Sequence, residues 1–262
     1  MTGGDDRDPL DRPLKIQGAG SSAASQAPKR FYKEAGVATS LADLYRIHLD
    51  GRPVRTPGKR IVELPARGLA EALAAEWAAQ GERIDPTSMP LMRLVNSALD
   101  GVAGNEAKVA ADIVAFAGND LTCYRADSPE SLVRRQATHW DPILAWAGQQ
   151  LGGRFVTAVG IVHVAQDERL LAQLATRLDS LDPMALAALH VMTTISGSAL
   201  IAWATAEGHV TTAHAWIAAH VDEDWQIEKW GEDAEAAARR QNRWRDFEAA
   251  ARLVAHIRAQ IP

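Results

Sequence analysis

The chain has 262 residues, 47% of them hydrophobic and 23% charged, a globular balance long enough for one large domain or two smaller ones. The net charge of −5 excludes the basic surface of a nucleic-acid protein and an electrostatic hold on anionic membranes. The lone cysteine, Cys123, excludes an internal disulfide and suits a reducing compartment.

Met1 to Leu14 is Asp-rich without an apolar core, so it reads as neither a secretory signal nor an Arg-rich transit peptide. Gln17 to Ala27 is mostly Gly, Ser, Ala and Gln with nothing to bury, and residues 1–29 are expected to be a disordered tail. The expected location is the cytoplasm of a bacterium.

A β region follows. Phe31-Tyr32 is expected to begin a first strand. Tyr45, Ile47 and Leu49 alternate with Arg46, His48 and Asp50, the period of a half-buried strand. Asp50-Gly51 is a tight-hairpin signal, because a type I′ turn needs positive φ. Arg52–Thr56 is the return strand, Pro57-Gly58 a second turn and Arg60–Leu64 a third strand, together a β-meander.

From Pro65 the spacing turns helical. Leu69, Leu73 and Trp77 recur every fourth residue, with Gly81 as the stop. Pro86 and Pro90 mark a break. Helices are expected over 90–101, over Asn105–Ala117, and from Ser128-Pro129, this last one interrupted or restarted at Pro142 and ended by Gly152-Gly153. Phe155–Val164 reads as a short strand. Asp167 caps a helix bearing Leu170, Leu171, Leu174 and Leu178. Asp182-Pro183 opens the longest apolar stretch, Met184–Ala206. With His190, Thr and Ser inside it, this reads as one buried helix and not a membrane span. Thr211 or Thr212 opens a further helix closed by Gly231, and a last one spans Asp233–Ile261. Strands followed by helices define an α+β fold: a small antiparallel β-rich N-terminal domain (30–86) and a larger all-α domain (87–262).

Chemical motifs are sparse. Gly18-Ala19-Gly20 does not continue into a phosphate loop. The eight histidines show no paired metal-ligand spacing; His214 and His220, six apart, fall on different helix faces. Thr193–Ala199 lacks the glycines of a nucleophile elbow and is expected to be a small-residue helix contact. Trp140 is expected to pack, and Asp141 to cap a helix opened by Pro142. A hydrolase using His139, Asp141 and Cys123 is the enzymatic alternative; it requires the three to converge in one pocket.

Trp216–Asp233 carries the most information. In one helix, Trp216, His220, Glu223, Ile227 and Trp230 fall at spacings of four, three, four and three, on a single face flanked by Asp222, Asp224, Glu228 and Glu232. This is either an amphipathic helix with a solvated acidic side or a protein-binding face on which a carboxylate among tryptophans takes a partner's arginine. The following Arg239, Arg240, Arg243 and Arg245 are candidates to pair with these acids internally.

A set of ordered motifs then identifies a resemblance. Leu49-Asp50-Gly51-Arg52-Pro53, Thr56-Pro57, Leu64-Pro65, Ala75-Glu76-Trp77 with Gln80, and Met89-Pro90-Leu91 are followed by Asp120-Leu121-Thr122-Cys123-Tyr124-Arg125, Gln136, Trp140-Asp141-Pro142, and Gln226-Ile227-Glu228 with Trp230-Gly231. Over residues 30–250 the chain resembles the ATP synthase assembly chaperones that bind the alpha subunit of the catalytic head. The resemblance implies a β-rich domain before a helical one. It also implies no catalysis and no cofactor, and a free ATP synthase alpha subunit as partner; neither a metal nor a small-molecule substrate is expected. The family's important carboxylate is expected in the C-terminal acidic segment, where Glu223, Glu228 or Glu232 would fill its place. A scaffold for some other complex is the remaining alternative.

Overall fold

A computed structural model describes residues 27–40 and 42–260; the expected tail lies almost wholly outside them. The first described residues are already tied down. Ile84 N donates to Pro28 O, and Lys29 bridges Arg83.

Strand β1 (Ala35–Thr39) pairs antiparallel with β2 (Tyr45–Leu49), which turns at Asp50-Gly51 into β3 (Arg52–Pro53). Asp50 and Gly51 both have positive φ, as the turn requires. Strand β4 (Glu63–Leu64) does not extend the meander outward: Leu64 pairs with Tyr45 and Glu63 with Arg46, so β3 and β4 share one edge of β2. The excursion between them is closed by an Arg55–Ile61 bridge. Phe31-Tyr32 precedes β1 and is not part of it. Tyr32 is instead buried, its hydroxyl donating to Trp77 O at 2.7 Å.

The sheet packs on α1 (Arg67–Ala78), which buries Leu69, Ala70, Leu73 and Ala74. Helix α2 (Pro90–Ser97) has proline at its first position and runs into a π turn over Ala98–Val102. Helix α3 (Glu106–Gly118) follows, then β5 (Tyr124–Arg125) and the long α4 (Glu130–Leu151). Proline 129 occupies the N-cap position of α4, not its first turn, and Pro142 lies inside the helix without breaking it. Asp141 is therefore no cap; it pairs with Arg125 at 2.7 Å. Strand β6 (Ala158–Val159) pairs in parallel with β5, confirming only the centre of the expected 155–164 strand.

Helix α5 (Glu168–Leu178) starts at the Asp167 cap. The apolar stretch after Pro183 is two helices, α6 (Pro183–Ser196) and α7 (Ala199–Ala206). Gly197 turns the chain between them with φ +70°, a conformation that costs other residues a steric penalty. Ser198 is the N-cap of α7, so Thr193–Ala199 spans a helix break and not a smooth packing face. Helices α8 (Thr212–Ala219), α9 (Val221–Trp230) and α10 (Ala234–Arg258) complete the fold.

Helix α6 lies at the centre, against α2, α3, α7 and α10. The α+β architecture is as expected. The buried apolar residues form one continuous cluster from Tyr32 to Val254, crossing the expected boundary near Pro86; within the helical part, the Arg93–Asp246 ion pair ties α2 to α10. Among the described residues, no helix is long and apolar enough to cross a membrane.

Candidate functional site

Several residues that carry the family motifs hold the chain to itself. Glu76 of α1 accepts from Leu91 N and Met92 N, satisfying the exposed amides that open α2. Gln80 spans the 80–88 loop, accepting from Asp85 N and donating to Glu76 O and Ser88 Oγ. Asp120 is completely buried and accepts from Thr122 N, Thr122 Oγ1, Ser198 Oγ and Leu200 N, which joins the 120–123 turn to the start of α7. Burial pushes its carboxyl above the usual carboxylate range against those four donors. Trp140 Nε1 donates to Ala218 O at 2.7 Å, docking α4 on α8.

The three residues of the enzymatic alternative have separate partners. Asp141 is held by Arg125, and the His139 ring meets His214 edge-on at 5.5 Å. Burial, and then the Asp120 charge, push the Cys123 thiol up to about 12, so it is a protonated core residue. Among the described residues no group of three His, Cys, Asp or Glu side chains has metal-binding geometry.

The expected single face over Trp216–Asp233 is divided. His220, at φ −120° and ψ 21°, ends α8 and precedes α9. Before the break the residues turn inward. Trp216 packs on Trp244 and Phe247, and the buried His220 sets Nδ1 at 2.8 Å from Trp216 O. Its Nε2 has no hydrogen-bond partner and lies 3.8 Å from Glu223, and burial lowers its pKa. After the break the residues turn outward: Glu223 and Ile227 are half-buried, Glu228, Trp230 and Glu232 exposed, with Trp230 74% accessible.

Helix α9 buries only Val221 and is attached by polar clamps. Arg135 of α4 donates both terminal nitrogens to Glu228 at 2.8 Å each, which holds that carboxyl below its usual range. Arg240 of α10 pairs with Asp224 at 2.5 Å. The buried Gln136 donates to Asp222 at 2.7 Å while accepting from Ala126 N. Of Arg239, Arg240, Arg243 and Arg245, only Arg240 takes one of these acids; Arg239 pairs with Glu235, and Arg243 and Arg245 bond to Ile195 O and Asn242. Arg135 and Gln136 were not assigned this role by sequence spacing, because they lie more than 80 residues from their partners.

Fold and surface together define an α+β protein whose candidate site is an acidic, tryptophan-bearing helix presented at the surface. The family of ATP12 chaperone proteins matches residues 29–148. The crystal structure of Atp12 from Paracoccus denitrificans is 39% identical with a TM-score of 0.81, covering 88% of this chain and 99% of that one. The Atu1473 protein of Agrobacterium tumefaciens is 47% identical with a TM-score of 0.83, covering 88% and 86%. The mitochondrial protein atp12 of Schizosaccharomyces pombe is 24% identical over 224 residues, 79% of this chain and 75% of that protein. The chain belongs to the ATP12 family of ATP synthase assembly chaperones.

Proposed function

We propose that this chaperone captures the unassembled alpha subunit of F-type ATP synthase and shields its subunit interface until the beta subunit replaces it. An obligate ring subunit carries large apolar faces meant for its neighbours, and alone these self-associate. A chaperone that covers one face is displaced once the true neighbour binds more tightly, so assembly itself supplies the free energy and no nucleotide is consumed. The proposed setting is the bacterial cytoplasm.

The observation that carries this reading is α9. It is acidic, its Trp230 is largely exposed, and it is held to the body by polar clamps. Tryptophan is enriched at interface centres, and the carboxylates around it suit an arginine of the partner. Glu223, Ile227, Trp230 and Glu232 are the proposed contacts. Glu228 contributes by fixing α9 to α4, and Trp216 and His220 by setting the helix break. The test is co-expression with alpha subunit in the absence of beta. A one-to-one complex is expected, absent with assembled synthase. Trp230→Ala and Glu223→Lys should each weaken capture about tenfold, equivalent to about 1.4 kcal/mol, with folding unchanged. Absence of the wild-type complex overturns the reading, and unchanged capture by both variants removes α9 from the site.

A further inference from the structure

An apolar surface outside α9 lies in the segment joining α4 to α5. Among the described residues, seven large hydrophobic side chains are exposed, and four belong to this one loop: Val156, Val159, Ile161 and Val162. Ile161 is 99% accessible, Val162 73% and Val159 63%. From Phe155 to Gln166 the chain has no Asp, Glu, Lys or Arg, although nearly a quarter of the whole sequence is charged. A surface segment so free of charge is unusual unless something covers it.

The loop is held in place. The buried Gln166 side chain closes its base, accepting from Val156 N at 2.8 Å and donating to Val156 O at 2.9 Å. Phe155 anchors one end in the core. Ala158–Val159 pairs with Tyr124–Arg125, and Gly160 N donates to Arg125 O at 2.8 Å. The apolar tip is thus presented on fixed backbone, which lowers the ordering cost of a contact. It is also linked to α9 by a chain of hydrogen bonds. The residue after β5, Ala126, donates to Gln136, and Gln136 donates to Asp222 at the start of α9.

We propose that the 155–164 loop is a second contact for the client subunit, a hydrophobic finger that seats on the uncharged part of the free alpha subunit's assembly interface while α9 engages it through acids and Trp230. This rests on the alpha-subunit reading above. The area favours a client over a second copy of this chain. The four side chains offer on the order of 400 Å² of apolar surface, well short of the about 800 Å² per partner of a stable interface. As the only contact of a homodimer that is too little; added to α9 it serves as one anchor of a larger surface.

The experiment uses recombinant alpha subunit without beta as the probe. The triple variant Val159→Ser, Ile161→Ser, Val162→Ser should raise the Kd at least tenfold with the melting temperature of the chaperone unchanged. Ile161→Asp, at a fully exposed position, serves as a second variant that leaves folding untouched. Hydrogen exchange in residues 155–164 should slow when alpha subunit binds. Full capture by both variants, or exchange unaltered by alpha subunit, overturns the finger while leaving the α9 reading intact. Failure of the wild-type chain to capture alpha subunit overturns both. A wild-type dimer that the triple variant abolishes assigns the loop to a second copy instead, and loss of exchange protection on deleting residues 1–26 assigns it to the chain's own N-terminal segment; either result overturns the proposal.

Discussion

Asp120 illustrates how a family motif serves the fold. Its carboxyl gathers four donors from two segments nearly eighty residues apart in a site without solvent. Asp120→Ala strands buried donors, chiefly Leu200 N and the Ser198 hydroxyl, and is expected to cost about 3 kcal/mol, read from denaturant unfolding. His220 sets a pH dependence of definite sign. Burial lowers its folded pKa below the ordinary 6.5, so the unfolded chain binds the proton more readily. The stability it contributes is complete above about 6.5 and is lost as pH falls from there through the lowered folded value. His220→Gln has no such loss, so the stability gap between wild type and variant should narrow from pH 7 to pH 5 in parallel melts. A constant gap means that His220 is not the titrating group. Cys123, protonated at any working pH, should stay inert toward thiol reagents in the folded chain.

Helix α9 is the element with least core. One buried residue in ten leaves its position to Gln136, Arg135 and Arg240. The Arg135–Glu228 pair is screened by solvent at the exposed Glu228 and contributes little. Gln136 is buried and bonded on both sides, so it matters more. Gln136→Ala should accelerate hydrogen exchange of residues 222–230 about tenfold while α6 and α10 keep their protection, because low-stability elements open locally. Uniform acceleration across all helices would show that Gln136 supports the whole fold instead. The break at His220 decides what α9 can present: a continuous helix would have aligned Trp216 with Trp230, whereas the break turns Trp216 against the core beside Phe247 and leaves Trp230 outside.

At the scale of the molecule, the β region and the helices share one buried cluster, and Glu76 of α1 ties across residue 86 to the start of α2. A single cooperative thermal transition is therefore expected, with calorimetric and van't Hoff enthalpies in agreement. Two resolved transitions would divide the chain near residue 86 into independently folding domains. The proposed contacts on α9 and in the 155–164 loop are joined through this body by the bonds of Gln136 to Ala126 and Asp222.

Local chemistry was legible in the sequence wherever one residue decides a conformation. Asp50-Gly51, the Asp167 and Asp182 caps, Gly152 and the four-residue spacing of Leu69, Leu73 and Trp77 all act over a single turn, and each stands where its pattern indicates. The α+β class follows from the order of those patterns. Only the tertiary structure decided that β4 returns to β2, that Pro142 is carried inside α4, and that the 183–206 and 212–230 stretches each break in two. Those outcomes depend on partners distant in sequence: Leu64 meets Tyr45, Asp120 meets Ser198, Gln136 meets Asp222. The exposed 155–164 loop had one sequence signal, its missing charges, but a run of uncharged, poorly alternating residues does not tell a covered apolar strand from an uncovered one. That distinction is made by what packs above the residues, and only the folded chain specifies it.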